Sequence, residues 1–590
     1  MKLMIRFYSL ILLILVSYKF SYSQVIAYHP NSHWHIPGEL SQKNSKYPFN
    51  YFFGQYYYPR KFKDGTWQSS EWREWIKLNH FSYEYPLEGH SWQAVVQRNK
   101  DIFQVHPEYL AMINGKRGGY GKTTKLCVSN KDLQKLFIED RIKAFEALND
   151  PDGSVSVEPS DGGGFCQCEA CSKLGKISNQ VFTLANITAR ALRAKYPNAK
   201  VNLYAYYKHA AIPDFDLERN VHVTVIPDGF QQAYDGDVMM ALWAEKAHIK
   251  TYYEYFTIPQ QKGELPRLYI QNFIRRMELA KKLGYQGYWF ETGLNLNSAI
   301  ALQLFNQLWL DNNLTWEAIT EKFLRNSFKG SYIPMKRLFN RWWHTWLAEE
   351  EIPMAIYDLE EASSLAKNKD EKERITDLKA YLHYIILYEE WNKNRKDSEK
   401  TKRYFNYLYE SSNRMIVNVS ALYQIFGAYI PKEERSKLNV QGKNNWGWLK
   451  PLTTADINQL FESDKKQYGV KKSNYLYKEV DVASPASKLK NNNSQTIEFQ
   501  SKLTGKKQFY GKGEITITFI NPKDIATQND KRLAISILGK DGNVVINQHI
   551  SYDKPQLTIK LPKEGLYTIS LMQFFTTKTR ISGNVYLLTN

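Results

Sequence analysis

IKTYYEYFTIPQQKGELPRLYIQNFIRRMELAKKLGYQGYWFE, residues 249–291, is the stretch that decides the fold. β-Branched and aromatic residues dominate 249–256, and this composition favours a strand. A helix-like segment follows over 267–283, and a second strand-like segment occupies 284–291. A strand, a helix and a strand in this order form a β–α–β unit, whose two strands run parallel. The stretch therefore predicts an α/β fold with a parallel sheet.

The same alternation of strand-like and helix-like segments extends over residues 49–313. Further strands are expected at 51–59, 80–87, 108–115, 154–161, 200–207 and 221–228. Together with the two strands above they number about eight, most of them followed by a helix. The span is close to the roughly 250 residues that are typical of a (β/α)8 barrel. We therefore predict a (β/α)8 TIM barrel over 49–313.

Two further regions are expected after the barrel. Residues 314–470 are rich in Lys and Glu with helical periodicity, which predicts a helical domain. Residues 474–590 contain alternating strand-like segments separated by Gly, Pro, Asn and Asp, which predict a β-sandwich domain. Such a module either binds sugar or serves as a structural appendage.

The N-terminus has the features of an export signal. Residues 1–23 combine Lys2 and Arg6 with an apolar run over 7–16 and small residues near the end, which is typical of a signal peptide cut before Gln24. The apolar run is too short to span a bilayer comfortably, and no later stretch reads as transmembrane. We therefore expect a periplasmic or secreted protein without a transmembrane anchor, in which 24–48 form a short segment before the barrel.

Composition and charge bear on the partner. The 590 residues carry 79 Lys and Arg against 60 Asp and Glu, a formal net charge of +19. In an exported protein this balance indicates either an acidic partner, such as a uronic or sulfated polysaccharide, or a generally basic surface. Export excludes nucleic acid as the expected partner. Aromatic residues make up 14 %, and they either stack on sugars or fill cores. Nothing in the sequence indicates the oligomeric state.

Carboxylates at predicted strand ends are the candidate catalytic groups. Chemistry in a (β/α)8 barrel takes place at the C-terminal ends of the strands. Candidate catalytic residues at these ends are Glu158, Asp161, Glu254 and Glu291, and candidate substrate-binding residues are His90, Tyr207, His209, Asp228, Tyr253 and Trp289. Glycoside hydrolysis needs two carboxylates across the sugar bond, one to protonate the leaving oxygen and one to act as base or nucleophile. No phosphate-binding loop, HExxH or G-x-S-x-G motif points to another chemistry.

Asp161 is the best candidate for the acid, although it could instead cap the glycine-rich turn that follows it. Glu291 and Glu254 are the best candidates for the base or nucleophile. Tyr207, His209 and Trp289 are expected to shape the sugar subsite. No cofactor is expected for catalysis.

The four cysteines form a second candidate site. Cys127 follows predicted strand three, and Cys166, Cys168 and Cys171 follow predicted strand four. Because neighbouring strands place these loops on one barrel face, the four thiols are expected to converge. They could bind a structural zinc ion tetrahedrally, or form two disulfides, which export permits. Four thiolate ligands would leave no open position for catalysis by zinc.

The region from about 30 to 345 resembles the bacterial domain-of-unknown-function family 4838. The resemblance rests on HIPGEL (35–40), HPEYLAMINGKR (106–117), LCVSN (126–130), SVEPSDGGGFCQCEAC (156–171), YYEYF (252–256) and a late stretch over 302–330. The family looks related to the glycoside hydrolase barrels of alpha-glucuronidases and beta-hexosaminidases. The resemblance therefore implies a (β/α)8 barrel that acts on glycans, with Asp161 at the position of the family's motif aspartate. The alternative function is a non-catalytic glycan-binding protein.

Overall fold

A computed structural model of the chain describes most of the residues between 89 and 469. The described ranges are 25–27, 35–37, 49–53, 89–121, 123–227, 236–257, 263–266, 268, 270–292, 295–344, 348–430, 451–469, 494–499, 504–520, 533–539, 543–550, 556–573 and 583–589. The predicted signal peptide over 1–23, the predicted strand over 80–87 and the candidate residue Asp228 lie outside these ranges.

A curled parallel sheet of six strands is the centre of the described part of the chain. The strands are β1 (Phe49–Phe53), β2 (Ser154–Ser156), β3 (Lys200–Ala205), β4 (Val221–Val225), β5 (Ile249–Thr257) and β6 (Gly287–Thr292). Their order in the sheet is β1-β6-β5-β4-β3-β2, and every pairing is parallel. The opening β–α–β unit is therefore confirmed, and the sheet forms a parallel half-barrel.

The predicted third strand, 108–115, is wrong as an element of this sheet. The chain there forms a 3₁₀ turn, Pro107–Tyr109, and then a short antiparallel hairpin of Met112–Ile113 with Lys116–Arg117. The physical reason is a turn at Asn114 and Gly115, whose φ angles are 51° and 75°. Two successive residues with positive φ produce a tight hairpin, which reverses the chain before a barrel strand can form.

Helices cover the sheet and continue beyond it. Around the sheet lie α1 (Ser91–Arg98), α2 (Lys100–Val105), α3 (Lys131–Glu146), α4 (Glu169–Ser172), α5 (Ile177–Lys195), α6 (Gly236–Lys246), α7 (Ile270–Lys282) and α8 (Leu296–Leu310). Asn side chains cap the N-termini of two of these helices. Asn130 accepts from two backbone N–H groups at the start of α3, and Asn295 forms a capping box with Ser298 at the start of α8.

The helical region after the sheet shares its apolar core. It contains α9 (Trp316–Phe328), α10 (Tyr332–His344), α11 (Ala348–Leu365), α12 (Lys369–Lys393), α13 (Ser398–Glu410), α14 (Val419–Phe426) and α15 (Thr454–Tyr468). Trp342 and Trp391 in this region are fully buried in the same continuous cluster as Leu203 of β3. Tyr381 and Tyr384 of α12 donate hydrogen bonds to the carbonyls of Glu264 and Gly263, both at 2.6 Å. The loop after β5 is therefore held by α12.

Two antiparallel four-stranded sheets occupy the C-terminal part of the described chain. One contains Ser494–Phe499, Gly583–Thr589, Glu514–Ile520 and Gln556–Lys560, and the other contains Thr504–Gly511, Gly565–Gln573, Leu533–Gly539 and Val544–Ile550. Ile515 and Ile517 of the first sheet share an apolar cluster with Phe509 and Ile535 of the second. This cluster is separate from the core of the helices and the parallel sheet.

A short antiparallel pair, Val25–Ala27 with His35–Pro37, lies in the segment that precedes the parallel sheet. Among the described residues, no helix has both the length and the apolar character needed to cross a membrane.

Candidate active site

The alternation of side chains along β5 and β6 decides which carboxylates reach the inner face of the sheet. Tyr253 and Trp289 pack with Tyr204 and Ile226 in one inner apolar cluster. Phe256 and Phe290 point the other way and belong to the core beneath the helices. Because successive side chains on a strand alternate between faces, Glu291 shares the inner face with Trp289, whereas Glu254 faces the helices.

Glu254 is therefore not brought to the inner face. Its Oε1 lies 3.2 Å from Nε of Arg276 in α7, and both side chains are buried. Arg276 also pairs with Asp237 of α6 at 2.7 Å. These contacts join β5 to two helices, so Glu254 takes part in packing the helices on the sheet.

Glu291 lies at the end of β6 and is only 5 % exposed. The hydroxyl of Tyr253 donates a hydrogen bond to its Oε2. Burial raises the pKa of Glu291 from 4.5 to about 7, the Tyr253 hydrogen bond opposes this rise, and the negative charge of Asp161 adds to it. Glu291 is thus a carboxyl group whose proton is exchangeable near neutral pH.

Asp161 lies in the loop after β2 and is exposed to solvent. Its Oδ1 accepts a hydrogen bond from the backbone N–H of Gly162 at 2.8 Å, so it does cap the glycine turn, as the alternative prediction stated. Its negative charge nevertheless contributes to the raised pKa of Glu291, so the two carboxyl groups interact electrostatically.

Glu158 is buried at the base of the same loop. Its Oε2 accepts from the backbone N–H of Tyr204 at 2.8 Å, and its Oε1 lies 3.2 Å from Nε2 of His209. These contacts fix the loop after β2 against β3. His209 Nδ1 has no hydrogen-bond partner among the described residues. Glu158 and His209 therefore form a buried acid–imidazole pair beside the loop that carries Asp161.

The remaining predicted binding residues differ in exposure. His90 precedes α1, is half-buried, and its Nδ1 donates to the carbonyl oxygen of Pro159 at 2.7 Å. Tyr207 is half-buried in a 3₁₀ turn after β3. Tyr253 and Trp289 are each 3 % exposed, with ring centroids 4.4 Å apart. The two buried rings lie next to Glu291, and their burial leaves little of either ring accessible to a sugar.

Two residues that the candidate set omitted also belong to this site. The pKa of Tyr206 is raised to about 12, chiefly by burial, and the negative charges of the three carboxylates Asp161, Glu158 and Glu291 contribute to this rise. A hydrogen bond with Tyr255 opposes it. The buried ammonium of Lys125 donates to the backbone carbonyls of Ser160 and Gly162. Tyr206 was within reach of sequence reasoning, because it follows a strand directly.

Lys125 has a lowered pKa of about 8, chiefly because burial penalises its charge, while Glu158 and Asp161 oppose this effect. The only sequence signal for Lys125 was its place two residues before Cys127. Its ammonium group links the segment 123–127 to both ends of the Asp161 turn.

The four cysteines converge beside this loop. All four are buried with free thiols, and their sulfur atoms lie within 4.8 Å of one another. The convergence predicted from loops on neighbouring strands is therefore found, although the hairpin after residue 107 replaces one of those strands.

A family model described as "Domain of unknown function (DUF4838)" matches residues 22–335, more than half of the chain. The chain belongs to the DUF4838 family. The matched residues include Glu158, Asp161, Glu291 and all four cysteines of this DUF4838 protein.

Curated proteins and solved structures add little to the family match. No curated protein matches the chain. Among solved structures, one described as a "GH138 enzyme targeting pectin rhamnogalacturonan II" covers 86 % of this chain and 84 % of its own, at 8 % identity and a TM-score of 0.21. Similarity at that level does not establish a shared activity.

Proposed function

We propose that this DUF4838 protein is an exported glycoside hydrolase-like enzyme that cleaves glycosidic bonds in a poly- or oligosaccharide. The observation that carries the proposal is the pair formed by Glu291 and Asp161. One is a buried carboxyl with a pKa of about 7, and the other is an exposed carboxylate whose charge acts on the first. A pair of carboxyl groups in unlike environments is what acid–base cleavage of a glycosidic bond requires.

The roles follow from these environments and reverse those predicted from the sequence. Glu291 is the acid, because burial keeps its proton bound up to near-neutral pH. Asp161 is the base or nucleophile, because contact with water lets it carry charge at low cost. Glu158 with His209 and Lys125 position the Asp161 loop. Tyr206, His90 and Tyr207 are the polar and aromatic groups available to bind the sugar.

The protein is proposed to act outside the cytoplasm on an acidic glycan. The signal peptide predicted over 1–23 supports a periplasmic or secreted location, and the net charge of +19 favours an acidic glycan. The C-terminal sheets are proposed to form a β-sandwich, because they share one apolar cluster. The parallel half-barrel is proposed to be the larger part of a (β/α)8 barrel, because its six strands are all parallel and follow one another around a curled sheet.

The test is turnover of glycans by the purified protein. Release of reducing ends is measured on acidic and neutral polysaccharides, and the pH dependence is measured on whichever substrate is cleaved. Activity is expected to fall as the pH rises through about 7, because Glu291 then loses the proton it must donate. Binding to a glycan without turnover would overturn the proposal and favour a glycan-binding protein.

Glu291→Gln is expected to lower kcat by about 10²- to 10⁴-fold, because an amide cannot protonate the leaving oxygen. Glu254→Gln is the matched control, since it removes another buried strand carboxylate that lies on the helix side of the sheet. Circular dichroism first measures how much of each variant is folded. The kcat values are then compared per folded molecule. Equal losses in the two variants would contradict the assignment of Glu291.

A further inference from the structure

The four cysteines are arranged as one cluster rather than as two pairs. Cys127 follows the 112–117 hairpin, Cys166 and Cys168 lie in the loop after β2, and Cys171 lies in α4. Cys127 Sγ is 3.6 Å from Cys168 Sγ and 3.9 Å from Cys171 Sγ. One sulfur atom thus has two sulfur neighbours at nearly equal distance.

These separations fit a shared metal ion and not disulfides. A disulfide holds its sulfur atoms about 2.05 Å apart, and each sulfur has only one such partner. Four thiolates around a tetrahedral zinc ion, each at about 2.3 Å from the metal, lie about 3.8 Å from one another. The observed distances of 3.6 and 3.9 Å lie on either side of that value.

The groups around the sulfur atoms match the needs of a thiolate site. Four thiolates and one Zn²⁺ carry a net charge of −2, which hydrogen-bond donors must stabilise. The backbone N–H of Met112 donates to Cys166 Sγ at 3.3 Å, and Ser129 Oγ lies 3.1 Å from Cys171 Sγ.

We propose that Cys127, Cys166, Cys168 and Cys171 bind one zinc ion in a closed structural site. All four positions of the tetrahedron are filled by protein thiolates, so no position is open to substrate and the site does no chemistry. The inference is independent of glycan cleavage, because it rests on the sulfur geometry and on the groups around the sulfur atoms.

The site would clamp the loop that carries Asp161 to the hairpin beside it. Between two of the ligands, the backbone N–H of Gln167 donates to Met112 O at 2.7 Å, and its side-chain oxygen accepts from Asn114 N at 2.8 Å. On the other side of the turn, Lys125 holds Ser160 and Gly162. Metal and ammonium together fix both ends of the segment 160–171.

The first test is metal content and thiol count in the wild-type full chain, purified without chelator or reductant. Mass spectrometry of the dissolved metals is expected to give one zinc per chain. Titration of the unfolded protein in chelator is expected to give four reactive thiols. Iron in place of zinc, or an absence of metal with missing thiols, would overturn the proposal. Replacement of zinc by Co²⁺ is expected to produce the visible bands of a tetrahedral thiolate complex.

The second test uses matched variants. Cys171→Ser is expected to lose the zinc, whereas Ser129→Ala is expected to retain it, because the Ser129 hydroxyl is beside the sulfur atoms without being a ligand. If Cys171→Ser does not fold, the same comparison is made by adding a strong chelator to the wild type, which is expected to lower its Tm. A chelator-insensitive Tm together with metal-free protein would contradict the site.

Discussion

Glu291 shows how the surroundings of one residue determine both its chemistry and its effect on the stability of the fold. The carboxyl is almost fully buried above Trp289 and Tyr253, and the pKa is raised to about 7. An ionised carboxylate in this position is destabilising, and the protonated form is not. The same burial that prepares Glu291 to donate a proton therefore makes the folded state sensitive to pH.

The expected pH dependence can be measured as a free energy of unfolding. Because the folded-state pKa of Glu291 is raised, the protonated form contributes stability that is complete below about pH 4.5 and is lost as the pH rises through 7. The loss is roughly 3 kcal/mol for a shift of this size. Glu291→Gln does not titrate, so wild type is expected to lose stability relative to this variant between pH 4.5 and 8. Urea unfolding of both proteins at several pH values measures the difference, and a constant difference would contradict the prediction.

For single residues, the sequence predicted which side chains are candidates better than it predicted which face of the sheet they occupy. YYEYF showed that Glu254 and its tyrosine neighbours lie on opposite faces, but not which face points inward. Orientation depends on what packs against the strand, and Arg276 is 22 positions away from Glu254 in the chain. The exposure of Trp289 was likewise unpredictable, because its burial comes from Tyr204 and Tyr253 on other strands.

Among the elements, the turn after β2 controls the position of Asp161. Gly163 has a φ of +71°, and a Cβ there would lie 3.1 Å from the carbonyl oxygen of Thr123 and 3.2 Å from its Cβ. A side chain at this position would therefore be both strained and crowded. The turn depends on glycine for its shape and for its contact with the segment that carries Lys125.

Gly163→Ala is expected to destabilise the protein by about 1–3 kcal/mol and to lower glycan turnover by displacing Asp161. Gly284→Ala is the matched control, because Gly284 has nearly the same φ of +73° but nothing within 4 Å of an added Cβ. The control measures the loss of stability that comes from the positive φ alone. Thermal unfolding and glycan turnover are compared for both variants. An equal effect on turnover in the two variants would show that crowding at Gly163 does not matter.

Elements with strong local signals were predictable, and those decided by a turn were not. The strand, helix and strand of 249–291 appear with their ends shifted by a few residues. The segment 108–115 looked like a strand by composition, yet Asn114 and Gly115 reverse it. Asn-Gly is a turn signal, and it outweighed the apolar residues before it.

On the scale of the whole molecule, two large apolar cores divide the described chain, beside the small inner cluster next to Glu291. One extends from the parallel sheet into α9–α15, and the other lies between the C-terminal sheets. The boundary predicted at 313 is crossed by contacts such as Tyr381 with Glu264, 117 positions apart. Contacts at such separations leave no periodic trace in the sequence, which explains why a helical region could be predicted and its continuity with the sheet could not.

Calorimetry of the full chain is expected to resolve two unfolding transitions, one for each core. Trp342→Ala is expected to lower the Tm of the larger transition only, and Phe509→Ala that of the smaller only, because both side chains are fully buried in different cores. Each substitution is expected to lower the free energy of unfolding of the part that contains it by about 3–5 kcal/mol. A single transition that responds to both substitutions would show that the two cores unfold together.

The pairing of Phe49–Phe53 with Gly287–Thr292 sets the order in which the molecule can fold. These strands are hydrogen-bonded neighbours, although more than 230 residues separate them along the chain. During synthesis the first strand must wait, with its backbone groups unpaired, until the last strand of the sheet has left the ribosome. Such distant pairing slows folding and leaves an edge open to wrong partners.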